Sequence, residues 1–293
     1  MARYRFALRP KWILSHVFVL VLVVTMINLG LWQWRRLDEK KLRNRNIRER
    51  TAQPVAPLSA LFPHAATAPN GLGNLVYRRV LVQGTYRADQ EVLVRGRSQD
   101  QAPGSWVLTP LVQPDGTAVV VNRGWIANSG ALSAVPAAYR APPGPVTVTG
   151  LLLASESKGS FEASDPPTGH LTNLARVDVG RIQRQVPERL VGGWVQLQVQ
   201  RPPVSATATA RVPRPLDPPA LDEGPHLSYT IQWFLFTTGT LVFYPLILRR
   251  RAREIEAEEG EGPPAGGLDP DDQPDPDDQP ASDDPRLARA EGR

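Results

Sequence analysis

Two long apolar runs, one near each end of the chain, constrain the fold more than any other feature. WILSHVFVLVLVVTMINLGLW (Trp12 to Trp32) contains no charged residue, and LSYTIQWFLFTTGTLVFYPLIL (Leu227 to Leu248) repeats the pattern. At a helical rise of about 1.5 Å per residue, each is long enough to cross a hydrocarbon core roughly 30 Å thick. Pro245 lies near the end of the second run, where a kink is tolerated. The first run is too long for a typical signal-peptide core, and WQWRRLDEKK follows it rather than a small-residue cleavage site. An uncleaved helix is therefore expected.

Two spans put both termini on one side of the membrane. RRRAR (Arg249 to Arg253) follows the second span while LDEGP precedes it, which makes both termini cytoplasmic by the positive-inside rule. The stretch RRLDEKKLRNRNIRER (Arg35 to Arg50) runs against that rule, because it is basic and would lie outside. It reads as a continuing helix, with Glu39 four residues from both Arg35 and Arg43.

The expected organisation is an N-terminus at 1–11, a first span at 12–34, and a basic helix with a Pro/Gly-rich connector at 35–75. A β-rich extracytoplasmic domain at 76–200 and a Pro-rich tether at 201–226 follow. The second span at 227–248 leads to a basic anchor and an acidic, disordered tail at 249–293. Strands are expected at Tyr77–Tyr86, Glu91–Arg97, Ser105–Gln113, Thr117–Ile126, Pro145–Leu153 and Trp194–Gln200, from their β-branched content and bounding turns. Leu174, Val177, Ile182 and Val186 have helical spacing. The fold class is thus a membrane protein: two transmembrane helices flank a mainly-β, α+β domain built on an antiparallel sheet or open barrel. In NRGWI, the glycine and tryptophan read as the end of a strand and a plug for the sheet core.

Several function classes are excluded. The chain has no cysteine, so disulfides, thiolate metal sites and thiol redox chemistry fall away. The four histidines (His16, His64, His170, His226) lack metal-binding spacing. The net charge of +5 is concentrated beside the spans, which suits anionic lipid rather than nucleic acid. Acids such as Asp89, Glu91 and Glu188 show no spacing that singles out a catalytic pair. Ser129, Ser133, Ser155 and Ser157 lack a G-x-S-x-G setting, so an enzyme is not expected.

With this topology, LGLWQWRR and HLSYTIQWF meet the same outer interface. His226, Tyr229 or Thr230, Trp233 and Thr237 share a face of the second helix, and Thr25, Asn28, Trp32 and Arg35 share one of the first. The combination suits a planar amphipathic ligand: imidazole for iron, guanidinium for carboxylates, indole and phenol for rings. Plainer readings stand beside it. The aromatics form an interfacial belt, Arg35 and Arg36 bind lipid phosphate, Asn28 and Gln232 bond between helices, and His226 is merely solvated.

In order along the chain, LGLWQWRRLDEK, YRRVLVQGTYRADQEVLVRGR, GSWVLTPLVQPDGTAVVVNRGWI and GPHLSYTIQWFLF resemble the Surfeit locus protein 1 family of cytochrome c oxidase assembly factors, across roughly residues 12–250. The resemblance implies a two-span protein of the bacterial plasma membrane that assembles a heme–copper oxidase of the respiratory chain. It also implies transient binding of heme a and its transfer to the catalytic subunit, with heme a synthase as a further partner. By the same resemblance, the heme-iron ligand is His226, with Tyr229, Trp233, Trp32 and Arg36 around it. Arg35 or Arg36 pairs with propionates, and Gly84, Asn122, Arg123, Gly124 and Trp125 carry the remaining family marks. The alternative is a heme-free scaffold for an oxidase subunit.

Overall fold

The computed structural model describes residues 4–62, 72–128, 130, 132–160, 163–204 and 211–260. Residues 261–293 of the acidic tail, part of the Pro/Gly-rich connector, His64 and Ser129 lie outside the described residues. The disorder expected of the tail after Arg253 needs correcting at its start, because residues 254–260 are helical and Glu254 pairs with Arg250 and Arg251 one turn back. The chain divides into two units: residues 1–33 with 227–293, and residues 34–226.

The first unit is a pair of helical segments. Helix α1 spans Pro10–Thr51 and therefore runs from this unit into the second; after the short α2 (Leu58–Leu61) and α3 (Val179–Gln183) of the second unit, α4 spans His226–Gly260, with Pro245 inside it. Both helices are long and apolar enough to cross a membrane. Within the unit, the shielded residues of α1 include Trp12, His16, Val19, Val23, Met26 and Gly30, spaced alternately by four and three. That spacing is a heptad seam. Gly30 lets the facing ring of Phe234 approach: a Cβ there would lie 3.2 Å from Phe234 Cζ. At the other end of the seam, the hydroxyl of Tyr244 lies 2.6 Å from His16 Nδ1 and 3.0 Å from Ser15 Oγ. His16 Nε2 faces the Ala7 carbonyl at 3.2 Å, and a carbonyl only accepts. Nε2 therefore carries the proton, and Nδ1 accepts from Tyr244.

The second unit is built on a sheet. Among the described residues it has eight strands: β1 (Ala56–Pro57), β2 (Arg79–Tyr86), β3 (Val92–Gln99), β4 (Ala102–Val112), β5 (Thr117–Ala127), β6 (Pro145–Ala154), β7 (Asn173–Leu174) and β8 (Arg189–Arg201). Their order is β1-β2-β6-β8-β5-β4-β3-β7. The expected antiparallel sheet or open barrel needs correcting, because the sheet is mixed. β5 and β8 run parallel, as do β1 with β2 and β3 with β7. β5 and β8 are separated in sequence by β6, which runs antiparallel to β8, as parallel neighbours cannot be joined by a tight hairpin. β2 also touches β4, but only through Thr85↔Val112 and Tyr86↔Leu111, so the sheet does not form a barrel.

β5 explains the centre of the fold. Val119 and Val121 enter one core with Val82, Leu111, Val148 and Val195; Ala118 and Val120 enter the other with Val94, Leu108, Ile182 and Trp194. A strand covered on both faces needs an unbroken apolar run, and AVVV supplies it. The short helix α3 (Val179–Gln183) closes the second core, capped by Asp178, whose carboxylate accepts from Arg181 N at 2.8 Å. The helical spacing read over 174–186 therefore marks burial correctly. The helix itself is limited to five residues.

Gly84 in β2 is a close-approach position, since a Cβ there would meet the Val112 carbonyl. Glu91 and Arg123 form a buried ion pair at 2.8 Å, with side chains 5% and 3% exposed. Glu91 Oε1 also accepts from Thr109 Oγ1 at 3.0 Å and Ala141 N at 2.9 Å. Burial pushes the Glu91 carboxyl up, while Arg123, Ala141 N–H and Thr109 oppose the shift. Arg123 donates further to the carbonyls of Tyr139 and Arg140, which pins that loop to the sheet.

Candidate functional site

Helix α4 begins where it does because of the turn before it. The Asp222 carboxylate accepts from Gly224 N at 2.8 Å, and Gly224 has a φ of +70°, a conformation that favours glycine. Pro225 follows, and His226 is the first helical residue. Down the helix, His226, Thr230, Trp233 and Thr237 fall at alternate spacings of four and three, with Thr230 and Thr237 buried and His226 and Trp233 half-buried. Tyr229 is 45% exposed and lies off this stripe. Of the pair Tyr229 or Thr230 offered by the spacing, Thr230 occupies the shielded position. Thr237 donates to the Trp233 carbonyl at 2.9 Å, and the Trp233 ring packs edge-on against Phe236 at 6.2 Å.

On α1, Thr25, Asn28 and Trp32 are exposed and lie off the seam formed by Val23, Met26 and Gly30. The Thr25 hydroxyl and Asn28 amide are satisfied within their own helix, by the carbonyls of Val21 and Val24 at 2.8 Å each. Trp32 and Trp34 present open indoles, 54% and 51% exposed. Arg35 and Arg36 are exposed, and Arg36 pairs with Glu39 at 2.8 Å. The division between units falls just after Gln33 and just after His226. Trp32, Tyr229 and Trp233 therefore belong to the helix unit, and Arg35, Arg36 and His226 to the sheet unit.

The basic stretch after Trp34 is partly taken up by backbone carbonyls of the sheet unit. Arg43, expected to pair with Glu39, instead donates to the Ala220 carbonyl at 2.7 Å, and Asn44 donates to Leu221 at 2.9 Å. Arg50 reaches the carbonyls of Gly73 and Val76. Arg43 and Arg50, held this way, have a structural role.

The candidate residues offer one imidazole, open indoles and a phenol, and two guanidinium groups on consecutive positions of α1. Among the described residues, no group of three or more His, Asp or Glu is placed to hold a bare metal ion. One histidine suits iron whose remaining donors come from a macrocycle, and arginine suits the carboxylates of such a ligand. Reading spacing alone missed two residues that organise the unit. Glu91 is one acid among many in sequence and is set apart by its burial, and Arg214, whose backbone exchanges hydrogen bonds with Trp125, carries no local signal.

Two helices long and apolar enough to span a membrane, with a mixed-sheet domain between them in sequence, fit the class of membrane proteins. The family model described as the SURF1 family matches residues 20–238. SURF1-like proteins of Mycobacterium bovis and Mycobacterium tuberculosis are 31% identical over 271 residues, covering 90% of this chain and 93% of theirs. A SURF1-like protein of Monosiga brevicollis is 28% identical over 250 residues, 78% of this chain and 85% of that one. The chain belongs to the SURF1 family.

Proposed function

We propose that the chain is an assembly factor for a heme–copper cytochrome c oxidase, which binds heme a at the outer membrane interface and passes it to the catalytic subunit. Family membership supports the assembly role at the level of the family. The heme reading rests on one observation. His226 is the first residue of α4 and half-buried at the head of the stripe that contains Trp233.

In this reading both spans cross a bacterial plasma membrane, the termini are cytoplasmic and the sheet unit lies outside. His226 would supply its imidazole to the iron. The indoles of Trp233 and Trp32 and the phenol of Tyr229 provide apolar surface for the macrocycle, and Arg35 or Arg36 pairs with a propionate. Exposed arginines give weak, exchangeable pairing, and one protein ligand gives a bond that a partner can replace. Both properties suit a carrier that must release its cargo. The cargo's source is a heme a synthase, its destination is the oxidase catalytic subunit, and membrane lipid bathes the helices. No catalytic step by this chain is required.

The test is the visible spectrum of protein purified from cells that make heme a, beside a His226→Ala variant. A reproducible heme band that disappears in the variant is expected. Colourless wild-type protein, in cells whose oxidase still depends on the gene, would favour a heme-free scaffold. A band unchanged by the substitution would point to a different ligand.

A further inference from the structure

Residues 211–225 look like a slack tether in sequence, yet they are held at successive points along the sheet unit. Trp125 N donates to the Arg214 carbonyl at 2.7 Å, and Arg214 N donates back to the Trp125 carbonyl at 2.8 Å, a two-way antiparallel bridge. The Arg214 guanidinium lies 5.8 Å from the Trp125 ring centroid and pairs with Asp100. Gln99 donates to the Pro215 carbonyl at 3.0 Å, and Gln196 to the Asp217 carbonyl at 2.9 Å. Arg43 and Asn44 then take the carbonyls of Ala220 and Leu221. Proline has no N–H, so such a segment cannot join a sheet ladder in the ordinary way; side-chain donors collect its carbonyls instead.

The corner that receives this segment is built by Asn122-Arg123-Gly124-Trp125. The β4–β5 register shifts between Val107 and Leu108, which pair with Gly124 and Asn122, so Arg123 is the extra residue of a bulge. The Asn122 side-chain oxygen accepts from Gly124 N at 3.1 Å, and Gly124 takes a φ of +133°. A Cβ on Gly124 would strike the Arg214 carbonyl and approach Pro213 Cβ to 3.1 Å. Glycine is required here twice over, by conformation and by the approach of the strap.

We infer that residues 211–225 form a positioning strap, and that the Gly124–Trp125 corner acts through it on His226. The reach of the chain gives the reason. A chain spans at most about 3.4 Å per residue. From the last anchor at Leu221, His226 is five residues away and lies within roughly 17 Å. Counted from the end of β8 at Arg201, an unanchored segment of 25 residues would allow roughly 85 Å. The turn at Asp222–Gly224 narrows the range further. The strap thus ties His226 to the same stretch of α1 that carries Arg35 and Arg36 two turns before Arg43. Its effect on cargo rests on the heme reading above; its effect on position does not.

The absence of cysteine makes the test direct. Spin labels are placed on Glu223→Cys, beside His226, and on Val199→Cys, exposed on β8, in the full-length protein in nanodiscs. Pulsed electron resonance then reads their separation. One narrow distribution is expected in the parent, and a broadened, shifted one after Gly124→Ala. The double variant Arg43→Ala/Asn44→Ala leaves the sheet untouched and should broaden it as well, with an unaltered circular dichroism spectrum. An unchanged distribution in the double variant and in folded Gly124→Ala would overturn the strap and show that His226 is held by its own helix. In parallel, the His226-dependent heme band should weaken in both variants. Colourless parent protein whose labels still move would sink the heme reading and leave the strap standing.

Discussion

The helix unit and the sheet unit satisfy their polar side chains in opposite ways. In the helix unit, Thr25, Asn28, Thr237, Thr238 and Thr240 all bond to a carbonyl four residues back in their own helix. The Ser15–His16–Tyr244 contact instead joins the two helices. In the sheet unit the decisive polar contacts join residues far apart in sequence: Glu91 with Arg123, Trp125 with Arg214, Asn44 with Leu221. A helix satisfies its own backbone wherever it is placed, so it can sit in lipid with little help. A sheet domain with a Pro-rich return segment cannot, and its folding depends on a few distant pairings.

The largest expected effect tests the sheet side of this contrast. Arg123→Leu leaves the Glu91 carboxylate buried without its partner and should lower the unfolding free energy by about 3–5 kcal/mol. Urea unfolding followed by tryptophan fluorescence would measure it, and Glu91→Leu added to the same chain should restore much of the loss. Gly84→Ala comes next: its Cβ would press on the Val112 carbonyl and come within 3.1 Å of Leu111 Cγ, a clash costing about 1–3 kcal/mol in the same assay. On the helix side the effects should be smaller. Tyr244→Phe removes the contact with His16, and such interhelical bonds contribute about 0.6 kcal/mol on average in membranes. A loss above 2 kcal/mol, read by detergent-induced unfolding, would break the contrast. The smallest effect belongs to the surface. The Arg87 guanidinium beside Asp89 holds that carboxyl well below its ordinary value. The resulting stabilisation is present above the unfolded carboxylate pKa of about 4 and is lost as pH falls through the folded value. Because Asp89 is largely exposed, Asp89→Asn, which leaves the Arg87–Glu188 pair in place, should flatten acid sensitivity only slightly, by less than about 1 kcal/mol.

The same contrast decides how much could be read in advance. The helices and the main strands β2 to β6 and β8 were visible in their periodicity, because hydrophobic period is a local property. The ends of β8 were less so: it begins at Arg189 rather than Trp194, where neighbouring β5 extends the ladder. The parallel pairing of β5 with β8 was not visible, since local pattern carries no strand direction. On α4, spacing could not choose between Tyr229 and Thr230; packing places Thr230 in the stripe. Residues 211–225 had composition but no period, so their anchoring on Trp125, Gln196 and Asn44 was beyond any local reading. His226 stood out only as a polar residue at the edge of an apolar run.

The central claim is that this chain serves oxidase assembly through His226. The direct measurement is the reduced-minus-oxidised difference spectrum of membranes from cells lacking the gene, complemented with wild-type or His226→Ala protein at matched abundance. The account predicts that wild-type protein restores the heme a absorbance of the oxidase, and that the variant restores severalfold less. Equal recovery by the two proteins would contradict it.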